Sequence, residues 1–285
     1  NYDLDEFNMS EEELFSRVDH NNVDSEKITA PRYSYWHSVF RVFFKKKINI
    51  VILSILAVVI LFTYVYPLFV EYDRFGNLMD ATAKHLSPLT AMKQLGYNIH
   101  WILGTGASGQ STFDAVWFGS RISISLAFIC AAINLTIGVL VGALWGFSKK
   151  VDIFMMEVYN IIGNVPYLLV ISVILMLFGS NFWVMVMALT ITGWLSIAFF
   201  IRTQVIIIRD REYNLASKCL GTSIVRIALK NILPFMTSVI VTIAATEIPS
   251  YIGYEVFLSY IGMGLSEMSL GRLIYEAESA MVTPG

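Results

Sequence analysis

Glu247 sits in the middle of an apolar run, TIAATEIPSYIGYE, and no obvious basic partner stands in any other such run. An ionised side chain at the centre of a bilayer costs about 2.5–3.5 kcal/mol even on the most lenient scale. Three readings follow: a protonated or hydrogen-bonded glutamate at a helix interface, a residue lining a translocation path, or a proton-coupling site. Asn134, Asn160 and the Asn164-Val165-Pro166 kink place amides in two further apolar runs, so those faces must turn toward protein or toward a water-filled path. With Glu247 they are the candidate path-lining residues. Gly106-Ala107-Ser108-Gly109 has the GxSG spacing of a serine nucleophile, but such a serine needs a histidine on a neighbouring membrane helix. His20, His37, His85 and His100 all fall outside the apolar runs, which argues against a protease. Cys130 and Cys219 form neither a zinc nor a CxxC spacing, so no metal site is expected. No GxxxxGK[ST] phosphate loop occurs, so any nucleotide chemistry belongs to a partner. The chain alone reads as non-enzymatic.

The elements that position these residues are set by composition. Of 285 residues, 56% are hydrophobic and 15% charged, against about 45–50% and about 25% in a soluble domain. The apolar residues come in blocks long enough for a helix to cross about 30 Å of hydrocarbon, which takes about 20 residues. The blocks predict transmembrane helices over 48–70, 122–147, 153–179, 182–201 and 235–258. The first lies too deep in the chain to be a cleaved signal peptide. Lys and Arg are retained on the cytoplasmic side. Arg41, Lys45, Lys46 and Lys47 precede the first span, Lys149 and Lys150 divide the second from the third, and Arg202, Arg209, Arg211, Lys218, Arg226 and Lys230 lie between the fourth and fifth. These assign a cytoplasmic N-terminal tail (1–47), an extracellular segment (71–121), a cytoplasmic loop (202–234) and an extracellular or re-entrant segment (259–285). Residues 1–30 carry nine acidic residues against Arg17 and Lys27, the pattern of a mobile tail or one loosely docked helix. Five spans leave Gly285 outside, so a sixth helix is expected beyond it. The net charge of −2 offers no attraction to nucleic acid.

Two patterns go beyond topology. Gly138, Gly142 and Gly146 repeat every fourth residue, the small-residue spacing that lets helices pack closely. Tyr213, Leu215, Ala216, Leu220, Ile224, Ile227 and Leu229 are spaced for short amphipathic helices broken at Gly221. Such helices ask for a docking partner, or rest on lipid.

This loop resembles the permease subunits of ABC importers, whose signature runs EAA, three residues, Gly, nine residues, I-x-L-P. Leu215-Ala216-Ser217, Gly221 and Asn231-Ile232-Leu233-Pro234 occupy it, with Leu215, Ser217 and Asn231 in place of Glu, Ala and Ile. Glu212 and Tyr213 match the E-Y that often opens the loop in the peptide-transporting branch. His100-Trp101-Ile102-Leu103-Gly104-Thr105, Gly119-Ser120-Arg121-Ile122-Ser123, and Glu255 with Leu258 to Gly264 followed by Leu270-Gly271-Arg272 are similar to further landmarks of C-type oligopeptide and dipeptide permeases. The PRYSYWHSVFRVFFKKK stretch and Glu212 to Ser217 look most like the subgroup from Gram-positive bacteria. The resemblance implies an all-α polytopic membrane protein with the type I importer fold, in the bacterial plasma membrane. It assigns Glu212, Tyr213, Leu215, Ala216, Ser217, Gly221, Leu233 and Pro234 to a coupling helix seated on an ATPase. The implied partners are a second homologous permease, two cytoplasmic ATP-binding subunits that use ATP and Mg, and an extracellular lipid-anchored binding protein that delivers peptide. This chain would bind no cofactor. The segment 71–121, with Trp101 and Trp117, would dock the binding protein or serve as a scaffold. Dipeptides or nickel are alternative cargoes, and a homo-oligomeric channel or scaffold is the alternative of another class.

Overall fold

The computed structural model describes residues 35–73 and 81–282; the acidic tail over 1–30 lies outside them. The chain divides into two compact units, Asn1–Ala57 and Val58–Gly285. In the first, α1 (Tyr35–Lys45) leads into the first half of α2 (Lys47–Phe69). Trp36, Val39, Phe40, Phe43 and Phe44 of α1 are all exposed.

In the second unit, α3 (Pro88–Leu95) precedes the long α4 (Thr112–Phe147), the centre of the bundle. Then follow α5 (Lys149–Gly163), α6 (Tyr167–Phe178), α7 (Phe182–Thr190) and α8 (Trp194–Arg209). The chain continues through α9 (Glu212–Cys219), a short α10 (Ile224–Ile227), α11 (Thr237–Tyr260) and α12 (Leu270–Val282). Among the described residues, four helical stretches are long and apolar enough to cross a membrane, and α5 with α6 makes a fifth if that bent pair is one span. Many large apolar side chains on the outside of these helices are exposed, which is stable only against lipid. The chain is an all-α polytopic membrane protein.

The helices depart from the apolar blocks for identifiable reasons. α4 begins at Thr112, ten residues before the expected span, because the Ser111 hydroxyl caps it by accepting the Asp114 amide at 3.1 Å. The block 153–179 is two helices bent by 70°. Pro166 has no N–H to continue the ladder and disfavours helical geometry at Val165. The block 182–201 breaks after Thr190, and α8 then runs on to Arg209. Residues 202–209 are therefore helix rather than loop. The cause is that Arg202 clamps Asp152 through two bonds, at 2.6 and 2.9 Å, and Arg209 donates to the Gly146 carbonyl at 2.7 Å. The segment 259–285, expected as an extracellular or re-entrant segment, contains the 13-residue α12.

The glycine stripe is where α4 meets α8. A Cβ on Gly138 would lie 2.7 Å from the Ile197 Cβ, on Gly142 2.5 Å from the Ala198 carbonyl oxygen, and on Gly146 2.7 Å from the Val205 Cβ. Two clusters fill the interior. Leu126, Cys130, Ile171, Leu175, Met185, Leu189 and Leu258 form one, and Ala143, Ile197, Ile201, Val205, Ile227, Ile232 and Met236 the other.

Candidate functional site

Two sites emerge, one on the surface and one inside the bundle. The surface site is built on α9 and α10. Arg202 lies over the rings of Trp145 and Phe199, each at 5.7 Å, and the Trp145 Nε1 donates to Asp152 at 2.7 Å. This knot fixes the ends of α4, α5 and α8 from which α9 departs. Asn214, buried on α9, donates to the Ile208 carbonyl at 3.0 Å; Asn231 donates to Asn214 Oδ1 and to Ser217 Oγ, each at 3.3 Å. The Tyr213 and Phe235 rings lie 5.7 Å apart. Asn231 thus ties α9 to the turn that leads into α11.

Gly221 ends α9 in a left-handed conformation with φ +79°. The Thr222 amide donates to the Ser217 carbonyl at 3.1 Å and the Gly221 amide to the Lys218 carbonyl at 3.0 Å, the paired bonds of a Schellman cap. Nothing lies within 4 Å of a Cβ added there, so backbone conformation alone calls for glycine. Ile227 and Ile232 point into the core, while Leu215, Leu220, Ile224 and Val225 are exposed, Leu220 at 86%. Glu212, Ala216 and Pro234 are exposed with them, and Ser217 and Leu233 are half-buried. The result is an apolar surface on two short helices, fastened to a spanning helix at both ends.

The inner site is a cavity of about 400 Å³ between α5, α6, the break between α7 and α8, and α11. Glu247 is in its wall with Tyr159, Tyr167, Tyr251 and Tyr254. Asn134 is fully buried behind that wall. Its amide donates to the Tyr251 hydroxyl at 2.6 Å and to the Leu189 carbonyl at 3.1 Å. It does not line the cavity; it tethers a tyrosine that does. Asn160 and Asn164 are exposed at the bend between α5 and α6, outside the cavity wall, where the Asn164 amide donates to the Asn160 carbonyl. In the sequence the four tyrosines read as ordinary membrane aromatics. Their signal was the spacing of Tyr251 and Tyr254 at four and seven residues from Glu247, one helix face.

Two networks hold the other end of the unit. Glu255 is fully buried and accepts from Ser123 at 2.9 Å, Ser259 at 3.1 Å, Ser269 at 2.6 Å and the Gly271 amide at 3.3 Å. The Leu270 amide donates to Ser123 Oγ at 3.0 Å, so the carboxylate joins α4, α11 and the N-terminus of α12, where a negative charge is favoured. The second network centres on Asp114. His100 Nδ1 lies 2.8 and 2.9 Å from its two oxygens, and the Tyr66 hydroxyl donates to Asp114. Trp117 packs against Phe62 at 4.5 Å between ring centroids.

Residues 134–284 match the family model of the binding-protein-dependent transport system inner membrane component, and residues 34–88 that of the N-terminal TM domain of oligopeptide transport permease C. The chain is similar to the oligopeptide transport system permease protein AmiD of Streptococcus pneumoniae, 45% identical over 96% of this chain and 87% of that protein. It is similar to OppC, the oligopeptide transport system permease protein of Bacillus subtilis, at 33% identity over 88% of this chain and 79% of that one. Similarity to the dipeptide transport system permease protein DppC of the same organism is 30% over 92% and 78%. A family model over more than half of the chain, relatives aligned over nearly its whole length, and a helical bundle with a fastened apolar surface agree: the chain belongs to the family of binding-protein-dependent transport system inner membrane components.

Proposed function

We propose that this chain is the permease subunit of an ATP-driven oligopeptide importer in a bacterial plasma membrane, of a Gram-positive cell. It forms half of the translocation path beside a second, homologous permease. The observation that carries this reading is the surface of Leu215, Leu220, Ile224 and Val225, exposed yet fixed through Asn214 and Asn231 to the helices behind it. Apolar residues in water need a partner, and their rigid attachment lets a push on α9 reach α8 and α11. Two ATP-binding subunits dock here, and ATP and Mg are handled by them; the chain itself breaks no bond. The excess of Lys and Arg between α8 and α11 supports a cytoplasmic position for this surface, and Arg41, Lys45, Lys46 and Lys47 before the first span support a cytoplasmic N-terminus. A lipid-anchored binding protein delivers peptide on the opposite side, where the Asp114 and Glu255 networks keep the surface in shape. ATP binding then biases an equilibrium between inward-open and outward-open bundles, and each state presents the cavity to one side.

The reading is tested by uptake. In cells that depend on this chain for peptide nutrition, labelled oligopeptide uptake is expected to stop on its deletion and to be competed by unlabelled oligopeptide. Competition only by dipeptide or by nickel would keep the importer and replace its cargo.

A further inference from the structure

The coupling surface leaves the cavity carboxylate unexplained. No Lys, Arg or His stands in the cavity wall, and Glu247 has no ion pair among the described residues. Tyr251 stands one turn along α11 from Glu247 in the same wall, and Asn134 holds its hydroxyl from behind. The Tyr167 hydroxyl donates to the Leu189 carbonyl at 2.7 Å, the carbonyl that Asn134 also uses. Tyr254 stands edge-on to Tyr167 at 5.2 Å and tilted to Tyr251 at 6.2 Å. The wall is therefore a preorganised set of aromatic rings around one carboxylate. The Thr192 hydroxyl, also in the wall, is buried without a hydrogen-bond partner, so a polar occupant has a further group to satisfy. Aromatic faces with a carboxylate are the chemistry that binds an organic cation, and a cavity of about 400 Å³ is within the roughly 300–1,000 Å³ range of small-molecule sites.

We propose that this cavity is a transit subsite for the cationic group of a peptide in passage, with Glu247 as its counter-charge and Tyr159, Tyr167, Tyr251 and Tyr254 as its aromatic wall. The proposal rests on the peptide-importer reading. The cation is an ammonium or guanidinium, supplied by the α-amino terminus of every peptide or by a Lys or Arg side chain.

The test uses the full importer, with uptake of three labelled tripeptides of equal length that are neutral, lysine-containing or glutamate-containing. Wild type, Glu247→Gln and Glu247→Asp are compared, and assembly is checked by copurification of the partner subunits. Loss of one charge-assisted hydrogen bond lowers uptake about tenfold. A loss in Glu247→Gln confined to the lysine peptide, restored by Glu247→Asp, supports the proposal with a side-chain cation. An equal loss for all three, restored by Glu247→Asp, supports it with the α-amino group. Wild-type uptake of all three by assembled Glu247→Gln overturns it, as does equal loss in both variants, which marks a packing role. If Glu247→Gln does not assemble, Ser250→Lys decides, because it tethers a cation in the same wall one turn along α11. Uptake is then expected to fall about tenfold, and wild-type uptake overturns the subsite. Absence of peptide uptake by the wild-type importer removes the importer reading itself, and the subsite with it.

Discussion

Glu255→Ala is expected to leave little folded chain in the membrane. The change strands Ser123, Ser259, Ser269 and the Gly271 amide, four donors that the buried carboxylate satisfies. An unsatisfied buried polar group costs about 1–3 kcal/mol, and three or four together approach the total stability of an ordinary domain, about 5–15 kcal/mol. Repacking cannot relieve the loss easily. The site is crowded enough that a Cβ on Gly271 would lie 2.7 Å from Glu255 Oε1. Glu255→Gln keeps acceptor and shape and is expected to retain part of the protein. The check is the amount of protease-resistant, tagged chain in membranes. Wild-type levels of Glu255→Ala would mean that α12 does not depend on this carboxylate.

Gly221→Val is expected to assemble yet abolish peptide uptake while ATP hydrolysis continues. Since nothing lies within 4 Å of an added Cβ, the effect comes through φ +79°. A β-branched residue resists that conformation at a cost of about 1–2 kcal/mol, which the exposed loop meets by unwinding the end of α9. That shifts Leu220 and Ile224 out of register with a partner without disturbing the bundle. Gly221→Asn is the informative control, because Asn tolerates the left-handed region, and it is expected to keep most uptake. Uptake and ATPase rate, measured on the same reconstituted importer, check both. Full uptake by Gly221→Val would detach the cap from coupling.

The contrast between these two positions shows what the sequence exposes and what it conceals. Gly221 was legible because a glycine between two amphipathic stretches is a local signal, as was the glycine stripe of α4. The apolar blocks were legible because they record the solvent, but solvent is not helix extent. The first turns of α4 depend on the Ser111 cap, and the end of α8 on the Asp152–Arg202 clamp across fifty positions. Glu255 stood in plain view in a family landmark, yet its role needs Ser123, 132 positions away. Asn134 and Glu247 are both polar groups in apolar runs. Only three-dimensional packing separates the first, sealed behind the wall, from the second, which faces the cavity. Asn231 looked like a mere departure from the loop signature, whereas it bonds Asn214 and Ser217 and so fastens α9.

The most direct measurement is to tag this chain, extract it from native membranes in mild detergent, and identify and count what remains bound. The account predicts one different permease, two ATP-binding subunits and a lipid-anchored binding protein for each copy, with the ATPases lost when Leu220 and Ile224 are changed to Asp. Recovery of the chain alone, or as a ring of identical copies, would contradict it and leave the channel reading in its place.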